Sequence, residues 1–256
     1  MMANPVLHRT RLRRAGDVHV RPHNMINFDL DRVMDDPGWP GLQILTRFSG
    51  VRSYLSLLEE YVPLMQDQAL LRWKAANLKS GLIEDAAEFQ EQLDYLGVTL
   101  EQDIAGNFYG AFAISVAAAL EGSLSDLCEY IHKREGCELR VSDLREPGTV
   151  KRALLYVRTV LRSSIQVSSN DDTALRDLQN VRNSLAHANG KLSDQRPDRV
   201  RELERLAQSQ TLIRIKDDTV LVLPRFLQRS LNAAESVVNQ VIHVVAARYP
   251  VAPSAA

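Results

Sequence analysis

Apolar side chains recur every three or four residues along most of the chain, a spacing that predicts α-helices. The first series begins at Gly41 and reaches Val62, and the Pro63 that follows cannot continue a helix without a kink or a new start. A second series comes after it, with a break allowed next to Gly81. The two series are expected to form an N-terminal helical hairpin over residues 41–97.

The longest regular apolar ridge follows this hairpin. Thr99 and Gln102 have the Thr-x-x-Gln spacing of a capping box, which predicts that a helix opens here. The apolar residues that step by three or four along this helix are Ile104, Phe108, Phe112, Val116, Leu120, Leu124, Leu127 and Ile131. Glu121 interrupts the ridge, and a carboxylate in a buried helix is costly without a partner. We expect it either to lie on an exposed strip or to meet a cation such as Arg182.

A further helix is predicted from about Thr149 to Ile165, with one apolar side and one basic side. The basic side holds Arg152, Arg158 and Arg162, which makes it a candidate track for RNA phosphates. Surface arginines on helices are more often simply solvated charge, so both interpretations stay open.

Toward the C-terminus the pattern predicts a β-hairpin and a final helix. Two short apolar runs flank Asp217 and Asp218, a polar pair typical of a tight hairpin turn. The last helix is expected from about Pro224 to Arg248, with His243 as a packed core histidine. The predicted fold class is therefore all-α: a helical bundle with an N-terminal helical extension and a small β-hairpin near residues 211–223.

Composition limits the electrostatic arguments. The chain has 256 residues, 45% of them hydrophobic, so it is long enough to bury one large core or two small ones. Lysine and arginine total 31 against 32 acidic residues, so any RNA-binding surface must be a local patch. Residues 1–40 mix arginines with prolines and are interpreted as a flexible basic arm, either a tether for RNA phosphates or an unstructured leader. Residues 250–256 are expected to be a tail.

Cysteine usage and hydropathy favour a soluble, cytoplasmic protein. The two cysteines are Cys128 and Cys137, and Cys128 falls on an apolar helical face, which is not the pattern of a disulfide scaffold. From the sequence we expect no apolar run that approaches the ~18 residues needed to span a bilayer, and no hydrophobic signal-peptide core at the N-terminus. No membrane partner is therefore expected.

Candidate chemistry is concentrated just before Gly190. In a helix, Asn183 and His187 share one face because they are four residues apart, and Arg182 lies on the shoulder of that face. The apolar residues that would pin the same helix to a core are Leu178, Val181, Leu185 and Ala188. Gly190 is a stop signal, so His187 falls in the last turn, where the helix dipole favours the imidazolium form. A histidine poised between its two forms can transfer protons.

This pattern, Arg182 and Asn183 followed after three residues by His187, resembles the signature of the HEPN superfamily. Members of that superfamily are all-helical domains, many of them metal-independent ribonucleases. The long apolar helix before the motif also looks like the helix that precedes the signature in such domains. The resemblance covers roughly residues 100–248 and predicts a HEPN-like domain over residues 98–249.

For this chain the resemblance implies a metal-independent RNA endonuclease of bacterial toxin or antiviral-defence type, acting as a homodimer. Arg182, Asn183 and His187 would be the catalytic residues, with Glu121 orienting the arginine from behind and with no metal or cofactor. RNA would be the substrate, and an antitoxin or regulatory protein a further partner. Some toxin members carry a tyrosine two residues after the histidine as a site for silencing by nucleotidylation, and here that residue is Asn189.

Other interpretations stay beside this one. The resemblance also allows a non-catalytic module that binds RNA, a nucleotide or a partner protein, and the motif residues could simply cap a helix end. The sequence has no Gly-rich phosphate loop, no His-Glu-x-x-His helix and no Gly-x-Ser-x-Gly elbow. The acidic residues before Gly97 lack a histidine, so a solvated face rather than a metal site is expected from Glu84, Asp85, Glu88, Glu91 and Asp94.

Overall fold

The computed structural model describes residue 26, residue 36, residues 38–80 and residues 86–250, and it is 77% helical with a single two-stranded sheet in this part of the chain. The elements are α1 (Gly41–Ser80), α2 (Ala86–Leu100), α3 (Asn107–Glu135), α4 (Thr149–Leu161), α5 (Ser169–Ala188), α6 (Pro197–Ala207), β1 (Ile213–Lys216), β2 (Thr219–Val222) and α7 (Pro224–Arg248). A π-helical turn (Glu101–Gly106) joins α2 to α3, and a 3-10 turn (Val141–Asp143) precedes α4. The predicted all-α fold with a small β-hairpin is confirmed.

Helix α3 is the centre of the bundle and packs against α1, α4, α5 and α7. Its predicted apolar ridge is buried over most of its length, with Phe112, Leu124 and Ile131 fully enclosed. The ridge is less buried at its start, where Ile104 is partly buried and Phe108 is 37% exposed. The ridge therefore identified the core helix correctly from spacing alone.

Two predicted helix boundaries are wrong. Helix α1 runs unbroken through Pro63, which lies on its exposed side, where water can serve the carbonyl that loses its donor. Thr99 does not open a helix, because its hydroxyl donates to the carbonyl of Tyr95 at 3.1 Å from within a helical run. That run, residues 87–135, is continuous through the π-helical turn.

The continuous helical run also corrects the prediction that no apolar segment approaches the length needed to span a bilayer. One 18-residue window within it has a mean hydropathy of 1.4, so by length and composition it could cross a membrane. Over half of that window, 56%, is buried inside the bundle, as in the core helix of a soluble protein. A single helix of this kind is weak evidence for a membrane span.

The end of α4 and two local predictions also have clear outcomes. The α4 helix ends at Leu161, four residues earlier than expected, because Arg162 adopts a left-handed conformation with φ 51°. The hairpin turn is confirmed: Asp217 and Asp218 both have positive φ, as a two-residue hairpin loop requires. His243 is exposed, so its interpretation as a core histidine is wrong.

The end of the expected basic arm is docked rather than free. Ile26 and Trp39 are buried in the core, and Asp36 accepts hydrogen bonds from Tyr130 and Arg134 of α3. The other residues before 38 lie outside the described part of the chain, and so does the expected tail from residue 251.

The second half of α1 and all of α2 extend beyond the bundle, and we call residues 63–80 and 86–100 the projecting hairpin. None of its described side chains is buried, in contrast to Phe48, Leu55 and Val62 in the first half of α1. The two helices meet through the rings of Trp73 and Phe89, whose centroids are 5.6 Å apart.

Candidate functional site

The motif lies on α5, whose two ends are fixed by local hydrogen bonds. The hydroxyl of Ser168 accepts from the backbone N–H of Asp171 at 3.0 Å and so caps the start of the helix. At the other end, Asn189 and Gly190 take positive φ, and the Gly190 N–H donates to the carbonyl of Ser184 at 3.1 Å. The predicted stop at Gly190 therefore holds, and His187 is in the last turn.

The inward side of α5 is held by both apolar and charged contacts. Leu178 and Val181 are buried as predicted. The carboxylate of Asp177, only 3% exposed, accepts from Arg205 of α6 at 3.0 Å and from Arg229 of α7 at 2.9 Å. This anchor was not recognised in the sequence, although Asp177 lies three residues after Ala174 and four before Val181, at the spacing of the buried stripe.

Helix α5 also lies close to α3 and to the β-hairpin. A Cβ added at Gly110 would contact Leu185 at 3.5 Å, so the lack of a side chain there lets the motif helix approach. Gly190 lies against the β-hairpin, because a Cβ added at Gly190 would be 3.3 Å from the carbonyl oxygen of Val220. These contacts fix the end of α5 that carries His187.

Arg182 contacts two of the three residues expected to work with it. Its Nη1 donates to Oδ1 of Asn183 at 3.0 Å, and its Nη2 lies 3.9 Å from Oε2 of Glu121 on α3. Nε2 of Gln179 donates to the same Asn183 oxygen at 3.2 Å. Of the two environments considered for Glu121, the structure shows the one in which it meets Arg182. The Arg182 side chain as a whole is 31% exposed, so it remains partly accessible to solvent.

His187 is exposed and is not part of this contact network. In the described part of the chain its imidazole has no hydrogen-bond or ion-pair partner. Helix geometry puts it one turn after Asn183, on nearly the same side, but about 140° around the axis from Arg182. The structure therefore joins Arg182 to Asn183 directly, and within one chain it does not bring Arg182 and His187 together.

A groove of about 350 Å³ lies between the start of α4 and the outward side of α5. Apolar residues in its lining include Pro147, Val150, Leu154, Val167 and Leu175, and polar ones include Lys151, Arg176, Asn180 and Asn183. Asn183 is the last α5 residue that lines it, and His187 follows one turn later. The groove therefore ends one helical turn before His187, which is not among its lining residues.

Two arginines of the expected basic track have structural partners. Nε of Arg152 donates to the carbonyl of Glu146 at 3.1 Å, while Nε and Nη2 of Arg158 donate to the carbonyl of Ile165 at 3.2 and 2.8 Å. They close the loops on either side of α4. Arg162 is exposed at the end of that helix.

No known family model, no curated protein and no solved structure gives a significant match to this chain. Within the described residues, no three His, Cys, Asp or Glu side chains form a group that could hold a metal ion. Glu88, Glu91 and Asp94 are exposed, while Glu84 and Asp85 lie outside the described part of the chain.

Proposed function

We propose that this protein is a metal-independent RNA endonuclease that acts as a homodimer in the cytoplasm, as a bacterial toxin or antiviral-defence effector. The observation that carries the proposal is a helix whose inward side is locked by Asp177 and which presents Asn183 and the exposed His187 on its outward side, with Arg182 partly exposed on its flank. An antitoxin or regulatory protein would then be its natural inhibitor. Both cysteines are free thiols, which agrees with a reducing compartment.

The reaction is an internal transesterification of RNA. The 2′-oxygen attacks the adjacent phosphorus, the bond from phosphorus to the 5′-oxygen breaks, and the products carry a 2′,3′-cyclic phosphate and a 5′-hydroxyl. One base must take the 2′-hydroxyl proton and one acid must give a proton to the leaving 5′-oxygen. Positive charge must stabilise the phosphorane oxygens. An imidazole and a guanidinium meet these needs without a metal.

One chain supplies a single motif imidazole, and it points about 140° away from Arg182 around α5. The base and the acid act on opposite sides of the phosphorus, so one histidine cannot easily serve both. A two-fold dimer that faces two α5 ends toward one phosphodiester provides two imidazoles and two guanidiniums. Arg182 then binds phosphate oxygens, and Asn183 keeps its guanidinium in place through the 3.0 Å contact.

The groove beside the motif supports RNA as the ligand class. Its apolar walls at Leu154 and Leu175 suit the faces of nucleobases, while Lys151 lies on its lining as a partner for phosphate. Because the groove runs along α5 to Asn183, a strand lying in it would pass its next phosphate toward His187. Arg162, exposed at the end of α4, adds positive charge outside the groove.

One observation favours a second candidate, a non-catalytic module that binds RNA, a nucleotide or a partner protein. Arg182 already has a carboxylate partner in Glu121 and an amide partner in Asn183, as an arginine with a purely structural role would. In that case the groove would still bind its ligand, but no bond would be cleaved.

An assay with the purified protein, single-stranded RNA and a chelator distinguishes the nuclease from the non-catalytic binding module. We expect cleavage by the wild type, products that end in a 2′,3′-cyclic phosphate, and loss of cleavage in Arg182→Ala and in His187→Ala. Matched controls are Arg248→Ala and His243→Ala, which remove exposed side chains of the same types from α7. Cleavage that persists in both motif variants, or that needs a divalent metal, would rule out the mechanism. Binding without cleavage in the wild type would establish the second candidate.

A further inference from the structure

The groove between α4 and α5 is lined by two kinds of side chain. Its apolar lining comes from both helices and includes Leu154 of α4 and Leu175 of α5. Amides from the second half of α5 form the polar lining at one end, at Gln179, Asn180 and Asn183. A ligand that fills the groove must therefore be apolar over its faces and able to form hydrogen bonds at one edge.

Two of these three amides are paired with each other, and the third is not. Nε2 of Gln179 donates to Oδ1 of Asn183 at 3.2 Å, and Arg182 donates to the same oxygen. Asn180 is partly buried, and in the described part of the chain its side-chain amide has no hydrogen-bond partner. Its N–H and C=O groups are available to a ligand, and a ligand that covered them without bonding them would lose free energy.

The charges around the groove favour an anionic ligand. The charged residues of its lining are Lys151, Asp172 and Arg176. Arg176 pairs with Asp172 at 2.6 Å, whereas Lys151 is exposed and has no ion-pair partner among the described residues. Glu146 and Arg158, in the recess that adjoins the groove, add one charge of each sign. One uncompensated positive charge is left beside apolar surface, which suits a phosphate attached to a base.

We propose that this groove selects an adenine base of the bound strand and that Asn180 is the residue that reads it, an inference that rests on RNA being the ligand. An asparagine amide presents a donor and an acceptor side by side, and the N6 amine and N7 of adenine match them. Adenine is also the one common RNA base without a carbonyl oxygen, so walls such as Leu154 and Leu175 leave few of its polar atoms unpaired. The volume of about 350 Å³ is in the range of small-ligand pockets.

The position of Asn180 relates the selected base to the proposed cut. Asn180 and His187 are seven residues apart, so they lie on the same side of α5 and roughly 10 Å apart along its axis. A stacked nucleic-acid strand advances about 3.4 Å per nucleotide. The adenine in the groove therefore lies within a few nucleotides of the phosphodiester beside His187, and the distance from that adenine to the cut should be fixed.

The first test is binding without reaction. Short 2′-O-methyl oligonucleotides of uridine, with one central base varied, lack the attacking 2′-hydroxyl, and fluorescence anisotropy gives their dissociation constants. We expect the wild type to bind the adenine-containing oligonucleotide about tenfold more tightly than the other three. Asn180→Ala should bind all four alike. Asn170→Ala, which removes an exposed amide of α5 outside the groove, should keep the preference.

Lys151→Ala separates contact with phosphate from contact with the base. It should weaken the binding of all four oligonucleotides by a similar factor and lower the salt dependence of binding by about one counterion. Circular dichroism checks that the variants are folded, and alanine at position 180 also favours a helix. Equal binding of the four oligonucleotides by the wild type, a preference for another base, or an adenine preference that persists in Asn180→Ala would overturn the proposal.

Cleavage products distinguish this proposal from the nuclease itself. The wild type should cut RNA at a fixed distance from an adenosine, and Asn180→Ala should form the same 2′,3′-cyclic phosphate without that preference. Adenine-selective binding without cleavage would leave the groove assignment standing and remove the nuclease. Cleavage that depends on His187 but has no base preference would leave the nuclease standing and remove the groove assignment.

Discussion

Nη2 of Arg182 lies 3.9 Å from Oε2 of Glu121, which joins the motif helix to the central helix of the bundle. The separation is at the upper limit for an ion pair, and both side chains are partly exposed. A pair of this kind contributes about 1 kcal/mol or less to folding. Its larger effect is on the direction in which the guanidinium points.

Under the proposed nuclease mechanism, we expect Glu121→Gln to leave stability nearly unchanged but to lower the rate of RNA cleavage at saturating substrate by about tenfold, since a misdirected guanidinium binds the transition state less well. The change should fall on kcat more than on KM. Glu129→Gln is the control, because it removes an exposed ion pair with Lys133 from the same helix. Equal rates in wild type and Glu121→Gln would contradict a positioning role.

The buried carboxylate of Asp177 should be a main determinant of stability. Asp177→Ala is expected to lower the free energy of unfolding by about 3 kcal/mol, because it leaves Arg205 and Arg229 without their shared partner and leaves a gap under α5. Urea unfolding followed by circular dichroism measures this. Asp172→Ala, which removes an exposed ion pair with Arg176 from the same helix, should cost less than about 1 kcal/mol. Similar losses in both variants would contradict the anchoring role.

Glu235 gives a pH-dependent prediction. Its side chain is 2% exposed, and burial raises its pKa, while the hydrogen bonds and charge of Arg52 oppose that rise. A raised pKa means that the folded protein holds this proton more tightly than the unfolded chain. The resulting stabilisation is complete below the ordinary pKa of a glutamate and is lost as the pH rises through the higher folded-state value.

Arg52→Ala should therefore destabilise the protein by about 3 kcal/mol at pH 7, where it leaves a buried carboxylate unpaired, and by less at about pH 5, where Glu235 can bind a proton. Unfolding curves at the two pH values measure the difference. Arg47→Ala, whose partner Asp126 is about one-third exposed, is the control and should show little change between them. If Arg52→Ala lowered the free energy of unfolding by the same amount at both pH values, the raised pKa of Glu235 would be contradicted.

The two cysteines should differ in reactivity. Cys128 is buried beneath α4, and burial raises the pKa of its thiol to about 12, so very little thiolate forms near neutral pH. Cys137 is partly exposed. A thiol reagent at about pH 8 should label Cys137 in the native protein and label Cys128 only after denaturation. Mass spectrometry of the labelled peptides decides this, and rapid native labelling of Cys128 would contradict its burial.

Local sequence was enough for several features of this protein. The apolar ridge of α3, the turn at Asp217 and Asp218, and the end of α5 at Gly190 all follow from residue types within a few positions. These features could be predicted because helix periodicity, positive φ and helix stops depend on neighbours along the chain. The same kind of spacing placed Asn183 and His187 on one side of α5.

Other features were decided by the tertiary structure. Pro63 lies inside one long helix because its exposed side tolerates the missing hydrogen bond, and Thr99 is in a helix interior because α2 runs on into α3. Whether Glu121 would meet Arg182 was open until α3 and α5 were placed side by side. The sequence shows where a stripe lies on a helix, but not which distant element covers it. On α5, arginines from α6 and α7 cover Asp177. On α1, no described element covers the exposed leucines.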